Sequence, residues 1–164
     1  MRLTGGSGDE RGSVLALVPA GFLVLIILAA LAVDSAVAYE GQQQLHDTLV
    51  AAANDAASSA IDRPVFYATG TVAISPSQAG QVVCSSLLSQ HSSQLHETRV
   101  WLAVQGASVR LIGESRVTVV FGRAVPGFGT RHVRATVDAI AATAPGQRPA
   151  ADVVRQAPVP LVCS

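Results

Sequence analysis

An uncharged, strongly apolar run near the N-terminus constrains this chain more than any other feature. Residues 14–33 are VLALVPAGFLVLIILAALAV, and thirteen of these twenty are Leu, Ile, Val or Phe. An α-helix of twenty residues is about 30 Å long, which matches the hydrocarbon thickness of a bilayer. Pro19 and Gly21 are tolerated in membrane helices more readily than in soluble ones. The run therefore predicts a membrane-spanning helix.

A cleaved secretory signal is the main alternative for the same run. Arg2 and Arg11 supply the basic region of such a signal, and small residues around Ala32 or Ala38 resemble its cleavage sites. The run is longer than the usual 7 to 15 apolar residues, and the sequence after it continues as a helix. A retained anchor is favoured, and a soluble binding domain secreted after cleavage near Ala32 or Ala38 stays as the alternative.

The distribution of arginine predicts how the chain is oriented in the membrane. Arg2 and Arg11 precede the run, the next arginine is Arg63, and the chain contains no lysine. By the positive-inside rule the N-terminus lies in the cytoplasm and the rest lies outside. The expected location is the cytoplasmic membrane, crossed once, with residues 1–12 as a cytoplasmic tail.

The predicted helix continues well beyond the apolar run. Residues 34–61 contain no proline and only one glycine, Gly41, while Ala, Gln, Leu and Glu give them high helix propensity. A stripe of apolar side chains at spacings of four and three is expected to pack closely on a sheet or another helix. Its members are Leu45, Leu49, Ala52, Ala56 and Ala60. Pro64 is expected to end this helix, which assigns residues 13–62 to it.

The pattern after Pro64 changes to that of a mixed domain, residues 63–144. Residues 65–74 are β-branched and aromatic, which predicts a strand with Gly70 as a bulge or kink. Ser75 and Pro76 then form a helix start, and the helix is expected to extend to about residue 93 with Ala79, Val82, Val83, Leu87 and Leu88 on its buried face.

Short strands with glycine-containing connections follow. Residues 99–105, 109–112 and 116–121 predict three strands joined by hairpins, and the alternation from Val133 to Ala139 predicts a fourth. Between them, Val125 and Phe128 are expected to be exposed in a glycine-rich loop. The expected fold is α+β, a long N-terminal helix with a small antiparallel-sheet domain, and the proline-containing residues 145–164 are expected to be a flexible tail.

Charge and cysteine content narrow the function classes. The formal net charge is zero, so no basic surface predicts binding to nucleic acid. Cys84 and Cys163 allow one disulfide in an oxidising compartment, although two unpaired thiols fit the sequence equally well.

No residue pattern predicts catalysis, a cofactor, a metal or a small-molecule substrate. The histidines His46, His91, His96 and His132 lack the spacing of a zinc site, and the serines near His91 lack an activating motif. The glycines of residues 122–129 lack the Lys-Ser/Thr of a phosphate-binding loop. Asp34 is expected to be a hydrated carboxylate at the membrane surface, with an arginine of a neighbouring subunit as the alternative partner.

Several N-terminal motifs, in their order, carry a family resemblance. They are a tail ending in Arg11-Gly12-Ser13, an apolar helix with Pro19, the sequence AALAVD of residues 29–34, and the Ala-rich residues 51–57. This region resembles the N-terminal part of TadE/TadG-like proteins of the tight-adherence (Flp type IVb) pilus machinery. The following helix and antiparallel strands are similar to the small extracellular domain of that family and of pilins.

The resemblance implies a membrane-anchored, pseudopilin-like subunit that contributes to pilus assembly or secretion. Its expected partners are the bilayer and other pilin-like subunits, and its helix is expected to bundle with theirs through small residues such as Ala52 and Ala56. The resemblance also implies processing between Gly12 and Ser13, but Leu17 stands where processed members carry a glutamate. The von Willebrand-like domain of larger TadG-type members does not fit this chain length.

Overall fold

The protein combines one very long helix with a small sheet. The computed structural model describes residues 10–90, 95–141 and 155–163. The helices are α1 (Glu10–Ser59), α2 (Arg63–Thr69) and α3 (Pro76–Ser89), and a 3₁₀ turn covers Gly122–Ala124. The strands are β1 (Leu95–Gln105), β2 (Ser108–Thr118), β3 (Thr130–Ile140) and β4 (Val159–Leu161).

The four strands form one antiparallel sheet in the order β3-β2-β1-β4. One face of this sheet packs against the second half of α1, and the described core lies between them. The predicted α+β fold, a long apolar N-terminal helix followed by an antiparallel sheet, is confirmed. We call the sheet with α2 and α3 the head.

Helix α1 has two halves with different surroundings. It is 50 residues long and continues through Pro19. Among the described residues it is the one helix long and apolar enough to span a membrane; its most apolar 18-residue stretch has a mean hydropathy of 2.5, and none of that stretch is buried. From Asp34 onward, partly or fully buried positions recur at helical spacing along one face. The predicted stripe is confirmed, since five of its members are fully buried: Leu45, Leu49, Ala52, Ala56 and Ala60.

Two glycines let α1 and β2 interlock. A Cβ on Gly41 would overlap the side chain of Val117, and a Cβ on Gly113 would lie 2.7 Å from Cδ1 of Leu49. Along α1, Gly41 and Leu49 are about 12 Å apart, and along β2, Val117 and Gly113 are about 13 Å apart. The two contacts therefore match in spacing, and they set the register of helix and strand.

The second of these glycines explains why one predicted hairpin is wrong. Residues 113–115 were expected to connect two strands, but β2 continues through them and pairs with β3 over its whole length, from Ser108 to Thr118. Gly113 lies in the middle of the strand, opposite Ala135. Its small size accommodates α1, which is a recognised role for glycine inside a strand.

The predicted strand of residues 65–74 is also wrong, because its first part is helix α2. Asp62 caps this helix, and its Oδ1 accepts a hydrogen bond of 3.2 Å from the N–H of Val65. Pro64 lies in the first turn, and Gly70 ends the helix with φ of 71°. These are the preferred residues for both helix ends, and they outweigh the β-branched and aromatic composition. Helix α1 consequently ends at Ser59, a few residues before the predicted end.

Helix α3 begins at Pro76 as predicted, with Ser75 at the N-cap position but without a capping hydrogen bond from its side chain. Ala79 and Val83 are buried. Leu88 was expected to be buried and is 52% exposed. Helix α3 ends at Ser89 with Gln90 at the C-cap, so the predicted end near residue 93 is too late by a few residues. Residues 91–93 lie outside the described residues.

The C-terminal segment is partly ordered by a disulfide. Cys84 on α3 is bonded to Cys163, and the preceding strand β4 pairs with β1, with Leu161 opposite Val100. The expectation of a flexible tail is wrong for this segment, because the cross-link and the pairing hold it against the head. Residues 142–154 and 1–9 lie outside the described residues, and residues 10–12, expected in the N-terminal tail, belong to α1.

Cross-strand ion pairs lie on the solvent face of the sheet. Arg110 and Asp138 are opposite each other on β2 and β3, with 2.6 Å between Nε and Oδ1. The hydrogen bond and charge of Asp138 raise the pKa of Arg110. Glu114 and Arg134 form a second pair across the same two strands. Such opposed charges favour this strand register.

The contact between Gly41 and Val117 predicts whether Gly41→Ala raises or lowers the stability of the protein. Alanine favours a helix by about 1 kcal/mol over glycine, so propensity alone would make Gly41→Ala stabilising. Because Val117 is fully buried and stiff at χ1, we expect overpacking instead, with the free energy of unfolding lowered by about 1–3 kcal/mol. Denaturant unfolding of the head in mild detergent, followed by Trp101 fluorescence, measures this.

Gly21→Ala is the matched control, since a Cβ there would meet nothing within 4 Å. Val117→Ala should make room for the methyl group, so the double variant should lose less stability than the two single changes added together. A stabilising Gly41→Ala would contradict the interlocking contact.

The disulfide yields a second prediction. It joins residues 79 apart, and a loop of that length contributes about 4 kcal/mol in the chain-entropy model. We expect the double variant Cys84→Ser, Cys163→Ser to lose about 2–5 kcal/mol of stability. We also expect the three-residue strand β4 to lose its protection against hydrogen exchange. Protection of β4 that persists in this variant would show that pairing with β1 alone holds the segment.

Candidate functional site at the junction of helix and head

Asp34 lies where the exposed half of α1 meets the head. It is the first charged residue after the apolar run, and it is partly buried. Its Oδ1 accepts a hydrogen bond from the N–H of Phe121 at 2.8 Å, and its Oδ2 accepts one from the N–H of Gly122 at 2.7 Å. Hydrogen bonds to a carboxylate are stronger than those between neutral groups, so the pair ties this loop to α1.

The partners that Asp34 has within the chain were not expected from the sequence, and pairing with an arginine of a neighbouring subunit stays a prediction. They are backbone groups 87 and 88 residues away in the sequence. One signal was available: Asp34 precedes Gly41, Leu45 and Leu49 by spacings that place all four on the same helical face. The apolar stripe could therefore have been extended to include this carboxylate.

The loop held by Asp34 is internally ordered. We call residues 119–129 the β2–β3 loop. The N–H of Val119 donates to the carbonyl oxygen of Gly129 at 3.1 Å, and the N–H of Phe128 donates to that of Val125 at 3.1 Å. Gly127 has φ of 87°, a conformation that glycine adopts readily. A Cβ on Gly122 would overlap the carbonyl oxygen of Phe128, so the loop also needs glycine there.

This ordered loop exposes large apolar side chains. Val120, Phe121, Val125 and Phe128 are between 49% and 60% exposed. The expected exposure of Val125 and Phe128 is confirmed. Clustered exposed apolar residues on an ordered loop mark a contact surface more often than isolated ones do.

The loop and the start of β3 carry positive formal charges only. Residues 119–133 contain Arg123 and Arg131 and no Asp or Glu. Arg131 and His132 line a shallow groove together with Leu31, Asp34 and Tyr39 of α1. The junction thus combines exposed apolar side chains with Arg131, which lines the groove beside Leu31 of α1.

The other predicted site residues are distributed differently. Ala52 and Ala56 were expected to pack against equivalent helices of other subunits, but both are 0% exposed because the head of the same chain covers them. That part of the bundling prediction is wrong, since the side chains are already packed. Gly12 and Ser13 lie in the first turn of α1, and their predicted processing stays a prediction.

The described residues contain no group of three or more His, Cys, Asp or Glu side chains that could hold a metal. His91 lies outside the described residues. Ser86 donates a hydrogen bond of 3.0 Å to Oδ2 of Asp55 and so links α3 to α1, while Ser85 donates to the carbonyl oxygen of Val82. These hydrogen bonds give Ser85 and Ser86 structural roles. The expectation that the protein is not an enzyme stays a prediction.

The role of Asp34 is testable by hydrogen exchange. In Asp34→Ala the N–H groups of Phe121 and Gly122 lose a charged acceptor, which is worth about 1.5–3 kcal/mol. Their exchange should accelerate by about 10- to 100-fold if the loop opens locally. Asp34→Asn keeps one accepting oxygen and should have an intermediate effect.

Glu40→Ala removes an exposed carboxylate of the same helix and serves as the control. It should leave the exchange of both loop amides unchanged. Equal exchange rates in Asp34→Ala and the wild-type protein would show that the loop does not depend on this carboxylate.

Comparison of the chain with models of known protein families, with curated proteins and with solved structures gives no match in any of the three.

Proposed function

We propose that this protein is a membrane-anchored, pseudopilin-like subunit that contributes to tight-adherence pilus assembly or secretion and has no catalytic role. The supporting observation is the two-part helix α1. Its first half is apolar and exposed, and its second half is the central packing element of an antiparallel-sheet head. This arrangement fits the family that the N-terminal motifs resemble.

The apolar half of α1 supports anchoring by its length as well as its composition. Residues 14–33 cover about 30 Å as a helix, and the head begins to pack at Asp34, directly after them. No linker separates the two parts. The proposal therefore places the head on the outer surface of the cytoplasmic membrane, with the N-terminus in the cytoplasm.

Contacts with other subunits fall to surfaces other than the buried stripe. Ala52 and Ala56 are enclosed by the head, whereas the side chains of residues 17–29, in the apolar half of α1, are all exposed. We therefore propose that neighbouring pilin-like subunits pack against the membrane half of α1, where Ala and Gly allow helices to approach closely.

The packing also bears on the secreted alternative. Cleavage near Ala38 would remove Asp34 and with it both hydrogen bonds to the β2–β3 loop. Cleavage near Ala32 would leave Asp34 close to a new, charged N-terminus. Of the two cleavages, only the one near Ala38 would therefore remove these hydrogen bonds.

The proposed function is tested by removing the anchor while keeping the head. Leu25→Arg with Leu28→Arg places two charges at the centre of the apolar run, each costing about 2.5–3.5 kcal/mol of insertion free energy. The native gene is deleted, and either the wild-type protein or the double variant is expressed in its place. The wild-type protein should resist alkaline extraction from membranes and support surface filaments. The double variant should do neither.

Tyr67→Arg is the control, because it adds a charge at an 83% exposed position of α2. It should behave as the wild-type protein does. Wild-type filament numbers after deletion of the gene would contradict the assembly role. An intact mass that lacks the segment ending near Ala32 or Ala38 would contradict the anchor and favour the secreted binding domain.

A further inference from the structure

The β2–β3 loop differs in position from the exposed aromatic residues of α2. Phe66 and Tyr67 also form an exposed aromatic pair, but they lie on α2, beyond the far end of α1. Ser59 follows Asp34 by 25 residues, which is about 38 Å along a helix. The β2–β3 loop, by contrast, is hydrogen-bonded to Asp34 itself.

This position places the loop at the depth of lipid headgroups if residues 14–33 cross the bilayer. A bilayer of 40–45 Å with a hydrocarbon core of about 30 Å has an interfacial layer of roughly 5–7 Å on each side. The N–H of Phe121 lies 2.8 Å from the carboxylate of Asp34, the first residue beyond the run. Segments that lie at this depth carry Trp, Phe and Leu on the side that faces the acyl chains.

The charge of the loop suits the same environment. Arg123 and Arg131 are exposed, and no acidic residue occurs among residues 119–133. Basic residues close to the membrane are attracted to anionic headgroups, and apolar side chains beside them enter the boundary between headgroups and acyl chains. The loop therefore has both chemical components of an interfacial lipid contact.

The loop also needs little ordering to make such a contact. Internal hydrogen bonds and the two bonds to Asp34 already hold its backbone. A surface held in its bound conformation loses little conformational entropy on binding.

We propose that the β2–β3 loop is a second membrane contact, in which Phe121, Val125 and Phe128 enter the interfacial layer of an anionic phospholipid bilayer. This inference rests on the proposed membrane anchoring. Its consequence is that the head lies against the membrane on its loop side.

The test uses tryptophan as a probe of depth in the full-length protein. Trp101 is the sole tryptophan, so Trp101→Phe gives a silent background. In that background, Phe128→Trp reports on the loop, and Tyr67→Trp reports on the far end of the head. Both proteins are reconstituted in vesicles of phosphatidylcholine and phosphatidylglycerol that contain lipids with a nitroxide near the headgroup.

We expect the fluorescence of Phe128→Trp to be quenched several-fold more strongly than that of Tyr67→Trp, with emission shifted to the blue. Quenching should weaken when phosphatidylglycerol is omitted or when Arg123 and Arg131 are both replaced by Gln. Val125→Trp is a second loop probe in case the Phe128 variant does not fold.

Alkaline extraction of the same vesicles separates the two proposals. A protein that is extracted overturns the membrane anchoring and this inference with it. A protein that stays in the vesicles with equal quenching at both probes overturns the inference alone. A third result would also overturn the inference: the loop probe is protected from aqueous acrylamide but is not quenched by the nitroxide lipid. If this protection depends on the ratio of protein to lipid, the loop contacts a second copy of the protein.

Discussion

The contact between the second half of α1 and the sheet is the constraint on which the described structure depends. The alanine-lined face of α1 lies close to the β-sheet. At this short distance, a large side chain on one element fits only where the opposite element carries glycine. Gly41 faces Val117, and Gly113 faces Leu49. Because these contacts match in spacing along helix and strand, sliding one element past the other would bring side chains into collision. The position of the sheet along α1 is thereby fixed.

The position of the sheet along α1 also determines which residues lie at the end of the head that is nearest to Asp34. The register of β2 against α1 brings the start of the β2–β3 loop to the level of Asp34, and the carboxylate then binds two backbone N–H groups of that loop. The site at the junction is thus a product of the core packing. The position of its exposed phenylalanines and arginines follows from the register of β2 against α1, which is set several helical turns away.

Local patterns in the sequence predicted the parts of the fold that have a local cause. The apolar run, the stripe from Leu45 to Ala60 and the alternation in β3 each follow from a period that one element imposes on its own residues. Glycine was harder to interpret, because the same residue serves turns and close approaches. Gly113 was taken as a turn and Gly70 as a strand kink, although Gly70 ends a helix whose first turn was marked by Asp62 and Pro64. The partners of Asp34 could not be predicted, because they lie 87 and 88 residues away and are backbone groups without a sequence signature.

The continuity of α1 through residue 34 has a mechanical consequence. A helix without a hinge is stiff, and buried side chains hold the head rigidly against it. Each residue along an α-helix turns by about 100°, so rotating the apolar half of α1 about its axis rotates the sheet by the same angle. A change in the tilt of the apolar half is likewise transmitted to the far end of the head, about 38 Å along the helix from Asp34. The orientation of the head is therefore set by the orientation of the apolar half of α1.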